Sequence, residues 1–183
     1  RVGTYFARSM QKAGLQVHHY ARTPKQAQLE WQSYQAHESL CILCLPDDKI
    51  AELSAQLPTG DGIICHSSGT QDLQSIDAKH RRRGIFYPLM SLRKDSTLAL
   101  REVPLCLEAE RSQDLEILLD FCRVQGWQAR HLSDSDRQKI HLAAVLTHNF
   151  GNYLHQLAYQ VLAENNLPLS LLKPLLEQQF QVL

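Results

Sequence analysis

The sequence predicts an α/β chain built on a doubly wound, mostly parallel sheet and followed by the start of an all-α domain. Three observations carry this. Across residues 1–133 short apolar runs alternate with stretches of helical period, the order of βαβ units. The runs "SLCILCLP" and "DGIICHSSGT" contain apolar residues without alternation, as strands covered on both faces do. From Asp134 the alternation stops, and one helical pattern continues without proline for about nine turns at 3.6 residues each.

In "RVGTYFARSMQKAG" (1–14), Val2, Tyr5, Phe6 and Met10 recur at helical spacing, and Ala13-Gly14 closes the run. "LQVHHYAR" (15–22) reads as a short strand. "TPKQAQLEWQSYQ" (23–35) reads as a helix with Pro24 in its first turn. "ESLCILCLPDD" (38–48) is a strand, "DKIAELSAQLP" (48–58) an amphipathic helix, and "DGIICHSSGT" (61–70) a strand ending in small polar residues. "QDLQSIDAKHRRR" (71–83) is a weaker helix with a basic, solvated end. There follow "GIFYPLMSL" (84–92), "VPLCLEAE" (103–110), the helix "SQDLEILLDFCRVQG" (112–126) and "WQARHLS" (127–133). The first domain is thus set at 1–133 and the helical one at 134–183, with a second helical segment, "LPLSLLKPLLEQQFQVL", interrupted at Pro174. A helix with so long an apolar stripe needs partners, so the helical domain is expected to be cut short at Leu183.

Composition narrows the function classes. Nineteen basic residues balance nineteen acidic ones, so no net field favours nucleic acid or an anionic membrane. No apolar run approaches the roughly 20 residues that span a bilayer, and nothing resembles a signal peptide. Cys41 and Cys44 have CxxC spacing, but on a strand positions i and i+3 face opposite ways. No second cysteine pair or histidine pair stands at zinc spacing. The five cysteines therefore read as buried thiols in a reducing, cytoplasmic setting, with no metal.

A doubly wound sheet that opens on a helix implies a first strand before Arg1. If "RVG" is the tail of a G-x-G-x-x-G turn, Gly3 is its third glycine, with Val2 beside it, and lets the helix pack tightly on the sheet. About 20 positions on, an acid would bind the ribose of NAD and an arginine would take the 2′-phosphate of NADP. "YART" supplies Arg22 and Thr23 and no acid, which favours NADP(H) over NAD(H). The competing reading is a solvent-facing arginine at a strand end.

The stretches "RVGTYFARSMQKAG", "YART", "CLPDDKIAEL", "CHSSGT", "GIFYPLMSL" and "HLAAVLTHNFGNYL" together resemble Rossmann-like bacterial proteins with a C-terminal helical domain of unknown function. These are relatives of pyrroline-5-carboxylate reductase, the deazaflavin-linked NADP reductases and the 3-hydroxyacid dehydrogenases, with a helical domain like that of 6-phosphogluconate dehydrogenase. The resemblance implies an NADP-dependent oxidoreductase that transfers hydride to or from a small polar carbonyl or imine. It also implies a homodimer through the helical domain. It places the backbone of Leu45, Pro46 and Asp47 along the cofactor, with Ile50 packed beside it. The alternative is a dinucleotide-binding sensor or assembly protein without turnover. Two features depart from the family: the glycine turn is absent and the helical domain is incomplete.

Chemistry is expected at strand ends and on the long helix. "CHSSGT" puts His66, Ser67, Ser68 and Thr70 where substrate and nicotinamide would meet, with Ser67 as a catalytic candidate and His66 and Ser68 as substrate contacts. Helix capping by the same hydroxyls is the competing reading, and the absence of a G-x-S-x-G elbow and of an acid placed to complete a triad argues against a serine hydrolase. On the long helix His141, Val145, His148 and Asn152 follow i, i+4, i+7, i+11, and Asn149 lies eight residues after His141. His141 is suited to donate a proton near neutral pH, Asn149 to orient the substrate or hold the histidine tautomer, and His148 to touch substrate. The lysine–asparagine pair of the hydroxyacid dehydrogenases is not reproduced, because Lys139 is followed at i+4 by Ala143. Histidine and asparagine buried as satisfied structural groups are the alternative.

Overall fold

The computed structural model describes residues 2–24, 28–36, 39–91 and 98–179. Two compact units divide the chain, Arg1–His141 and Leu142–Leu183. The opening turns of the helix that the sequence assigns to a second domain therefore pack with the first unit.

The first unit is built on a five-stranded sheet of β3 (Leu40–Leu43), β4 (Ile63–His66), β5 (Arg83–Pro88), β6 (Leu105–Ala109) and β7 (Ala129–His131), in that order. Strands β3, β4 and β5 are parallel, β6 runs antiparallel to β5, and β7 is parallel to β6. The carboxyl ends of β3, β4 and β5 thus share one edge of the sheet. A separate parallel pair is formed by β1 (Tyr20–Ala21) and β2 (Leu29–Glu30).

Strand alternation distributes the core between two faces. On one face Ile63, Cys65, Phe86, Leu105 and Leu107 pack against Phe6 and Met10 of α1 (Val2–Lys12) and Leu118 and Cys122 of α3 (Ser112–Val124). Phe6 meets Phe86 edge to face at 5.6 Å between ring centroids, a favoured aromatic geometry. On the other face Leu43 and Ile64 pack against Ile50 and Leu57, at and just beyond α2 (Ile50–Gln56). Ile85, Tyr87 and Cys106 form a smaller cluster on that side. Cys41 packs toward the α2 cluster and Cys44 toward the α1 cluster, so the CxxC spacing spans opposite faces.

Among the described residues two expected helices are absent. Within 23–35, Leu29–Glu30 is a strand and Trp31–Ser33 a 3₁₀ turn, while residues 25–27 lie outside the described ones. The apolar residues Leu29 and Trp31 there are two apart, which suits a strand pleat better than a helix face. Within 71–83 only Leu73–Ser75 makes a 3₁₀ turn. Asp72 Oδ1 accepts from the Ser75 N–H at 3.1 Å, and Asp77 Oδ1 accepts from the Lys79 N–H at 2.9 Å. Such local side-chain bonds offer the backbone an alternative to the helical ladder.

The long helix opens as α4 (Asp134–Ala144), capped by Ser133, whose hydroxyl accepts from the Asp136 N–H at 3.2 Å. In the second unit the chain makes a π turn over Val145–Phe150 and continues as α5 (Gly151–Glu164). Thr147 Oγ1 donates to the Ala143 carbonyl at 2.9 Å beside this turn. A count at 3.6 residues per turn does not carry across a π turn, so the regular spacing from His141 to Asn152 is interrupted. α6 (Lys173–Gln179) starts one residue before Pro174, which sits in its first turn instead of breaking it. Phe150, Tyr153, Leu154 and Val161 are exposed. No helix among the described residues is long and apolar enough to cross a membrane.

Candidate functional site

Three strand ends and one helix build the site: Leu43 closes β3, His66 closes β4, Tyr87 is the last residue but one of β5, and α4 lies on their α2 side. The loop after β4 is ordered by its own polar groups and by bonds to the end of β3 and to α4. His66 is fully enclosed. Its Nδ1 accepts from the Ser68 N–H at 3.2 Å, which leaves Nε2–H to donate to the Asp72 carbonyl at 3.0 Å. Burial first, and then the positive charge of Arg137, lower its pKa against the opposing hydrogen bond from Asp72. His66 is therefore a neutral ring with both nitrogens engaged within its own loop.

The hydroxyls of this loop have distinct partners. Ser68 Oγ accepts from the N–H groups of Thr70 and Gln71, each at 3.1 Å. Ser67 turns the other way: its N–H and its hydroxyl both donate to the Leu43 carbonyl, at 3.1 and 3.3 Å. Ser67 also hydrogen-bonds Cys44, whose thiol burial pushes up to about 11. Thr70 Oγ1 donates to Asp47 Oδ2 at 2.5 Å, joining the ends of β3 and β4.

Along the β3 end, Gly3 faces Cys44. A Cβ on Gly3 would stand 3.3 Å from Cys44 Cβ and 3.6 Å from His19 Nε2, so the amino end of α1 approaches the sheet as closely as a glycine permits. Val2 is partly buried against the α1 core. Arg22 and Thr23 are exposed just after β1, and the Arg22 charge acts on Lys49 and Glu52 at the start of α2. Leu45 is partly buried, Pro46 is extended, and Asp47 opens the 3₁₀ turn that leads into α2. Ile50 is wholly enclosed among Leu43, Leu57, Ile64 and Ile76. It shapes the core and offers no surface to a ligand.

On the β5 side His141 meets residues not singled out in the sequence. Tyr87, 8% exposed, places its hydroxyl 2.9 Å from His141 Nδ1, and the two rings are tilted edge to face. Burial first, and then Cys106, push the Tyr87 phenol up to about 12 against the opposing charge of Arg137. Gly69 lies beneath both: a Cβ there would collide with His141 Nδ1 and come within 2.9 Å of Tyr87 Cζ. One turn earlier on α4, Arg137 is 0% exposed. Its guanidinium donates to Glu108 Oε2 at 2.7 Å, to Asp134 Oδ1 at 2.6 Å and to the Gln71 carbonyl. Its Nε makes no hydrogen bond among the described residues. His148 and Asn149 are exposed in the π turn of the second unit.

Tyr87 had one legible signal, a phenol inside an otherwise apolar strand. Gly69 and Arg137 had none, because each is read only through residues distant in sequence. Among the described residues no cluster of histidine, cysteine or carboxylate could hold a metal ion.

Replacing Arg137 with Met removes the guanidinium but leaves Glu108 in place, its side chain only 16% exposed, together with the Gln71 carbonyl. Urea denaturation should show a loss of about 3–5 kcal/mol, the usual cost of stranding one partner of a buried ion pair. A loss below about 1 kcal/mol, the range of exposed pairs, would mean that the cluster is solvated.

Residues 103–183 match a family described as a domain of unknown function (DUF2520). No curated protein matches the sequence. Among solved structures, a candidate NADP oxidoreductase of Bacteroides fragilis is similar over 98% of this chain and 75% of that one, at 24% identity and a TM-score of 0.81. A reductive aminase of Aspergillus terreus, in complex with NADPH4, cyclohexanone and allyl amine, is similar over 98% and 70%, at 15% identity and a TM-score of 0.69. Pyrroline carboxylate reductase of Plasmodium falciparum, with NADP bound, is similar over 98% and 72%, at 12% identity and a TM-score of 0.60. The chain has the Rossmann-like α/β fold of these structures, and its residues 103–183 match the model of a domain of unknown function.

Proposed function

We propose that this chain is part of an NADP-dependent oxidoreductase that transfers hydride to or from a small polar carbonyl or imine. The observation that carries this reading is the position of His141, held against Tyr87 and Gly69 beside the carboxyl ends of β4 and β5. Parallel α/β sheets bind ligands outside that edge. The dinucleotides in the similar Plasmodium and Aspergillus structures support the same class of cofactor.

The residues present fit such a cofactor. Gly3 gives the amino end of α1 no side chain, Arg22 and Thr23 would receive the 2′-phosphate, and the backbone of Leu45, Pro46 and Asp47 would line the ribose and nicotinamide. The bound nicotinamide would supply or accept the hydride. His141 would give the proton to the oxygen or nitrogen that gains electron density, or remove it in the reverse direction. Ser67 belongs to the Gly3–Cys44 edge, while His66 and Ser68 would act by holding the loop in shape. Roles for Asn149 in substrate orientation and His148 in substrate contact are proposed on sequence grounds.

One observation favours a second reading, a dinucleotide-binding sensor or assembly protein. His66, Ser68 and Thr70 all engage partners inside their own protein, which leaves few polar groups for a substrate.

Titration of the full-length protein should give tighter binding of NADPH than of NADH, and Arg22→Ala should remove most of the difference. Equal binding of both nucleotides by the wild type would leave NADP preference unsupported. His141→Ala should lower turnover of NADPH with a carbonyl or imine panel by about 10²–10⁴-fold while cofactor affinity is kept, the range of a lost proton donor. Turnover unaffected by that change would take His141 out of the chemistry. The apolar surface of α5 supports a homodimer through the helical domain, and light scattering should return twice the monomer mass.

A further inference from the structure

We infer that Tyr87 is a positioning residue for His141: its hydroxyl engages Nδ1 and thereby makes Nε2 the nitrogen that works on substrate. This deepens the proposed proton-donor role and rests on it. Three independent features of the first unit meet at this pair.

The first is geometry. The hydroxyl lies 2.9 Å from Nδ1 and the rings pack edge to face with centroids 5.8 Å apart, so distance and ring packing both fix the imidazole. The second is the floor. Gly69 is the one residue of its loop with no side chain, and any Cβ there would occupy the space taken by Nδ1 and the phenol ring. The third is the anchoring of both partners. Tyr87 lies within a strand paired on either side, with its own register partner at Cys106. Arg137, four residues before His141 on α4, is bonded to β6 and to the loop that contains Gly69.

The proposed hydrogen bond runs from the phenol to the ring in the resting state. Burial keeps the phenol protonated at neutral pH, which allows the Tyr87 O–H to donate to a bare Nδ1, with the proton of the neutral ring on Nε2. When the imidazole takes up a second proton, at Nδ1, the phenol rotates and its oxygen accepts from Nδ1–H. The imidazolium then gives its Nε2 proton to substrate and is left neutral with its proton on Nδ1; in the reverse direction the Nε2 lone pair removes the proton. In both states Nδ1 is occupied, and proton exchange with substrate falls to Nε2. A histidine held only by packing would divide between its two tautomers and could exchange protons through either nitrogen.

The test uses the full chain labelled with ¹⁵N-histidine, with the His141 signals assigned by their loss in His141→Gln. At neutral to slightly alkaline pH the wild type should show the Nε2–H tautomer of His141. Tyr87→Phe, which keeps the ring and loses only the hydroxyl, should convert it to a mixture. It should also lower kcat for carbonyl- or imine-dependent NADPH oxidation about 10–10²-fold, with KM changed less than about twofold. An unchanged tautomer in Tyr87→Phe overturns the inference whatever the activity. If Tyr87→Phe does not fold, 3-fluorotyrosine at position 87 changes only the acidity of the phenol. The His141 Nδ1 resonance should then shift, and an unmoved resonance overturns the inference. A tautomer that depends on Tyr87 in a protein that oxidises no NADPH supports the contact and removes the reductase reading, so the two failures are separable.

Discussion

The first unit depends on one buried guanidinium. Arg137 sits on the first turn of α4 with no solvent exposure, and burying a charge costs several kcal/mol unless its donors are met. Here the two terminal nitrogens are met from three directions, by a carboxylate on β6, a carboxylate on α4 itself and the carbonyl of Gln71 beyond the β4 loop, while Nε has no partner among the described residues. An apolar side chain of similar volume could fill the same space. It could not, however, tie a loop carbonyl to a helix, and that tie sets how far the Gly69 loop can move from α4. The position of His141 follows, because it lies four residues further along the same helix and on nearly the same face.

The same charge enters the electrostatics of the site, but burial outweighs it. Arg137 opposes protonation of His66 and favours ionisation of Tyr87. For His66 the charge and the burial act in the same sense, and the ring stays neutral against the hydrogen bond from the Asp72 carbonyl. For Tyr87 the two oppose each other, and the phenol still ends near 12, so desolvation is the larger effect. Both side chains are thereby fixed in their neutral forms near neutral pH, one as a structural ring and the other as a hydroxyl able to donate. Nearness to a cation does not by itself make a tyrosine acidic when the surroundings are dry.

Much of the sheet was legible in the sequence because its signals are local. Continuous apolar runs such as 40–43 and 63–66 cannot be covered on one face only, and they emerged as paired parallel strands. The helix over 112–124 is likewise decided within a few residues. The expected helices over 23–35 and 71–83 failed where composition looked helical but local chemistry decided otherwise. In 71–83, Asp72 and Asp77 bond the backbone just ahead of them and stop a helix before it can propagate. The site was less legible still. His141 could be picked from its residue type, yet its partner 54 positions away could not. Ser67 and Ser68 look equivalent in sequence and point to different neighbours, because adjacent residues leaving a strand alternate in direction.

The reversal of strand direction between β5 and β6 explains why these groups gather where they do. Strands β3, β4 and β5 all deliver their carboxyl ends to one edge, whereas β6 and β7 run the opposite way and leave their own carboxyl ends at the far edge. The chain leaving β7 therefore starts α4 on the far side of the sheet, and the helix must run back along the α2 face to reach the edge that carries Tyr87 and the β4 loop. Arg137 is met partway along this return, level with Glu108 of β6, and His141 is met one turn later at the end of β5. Had β6 been parallel to β5, its carboxyl end would have added another loop to the same edge. The antiparallel strand gives that edge the amino ends of β6 and β7 instead, and α4 brings His141 to it beside His66 and Tyr87 of the strand ends.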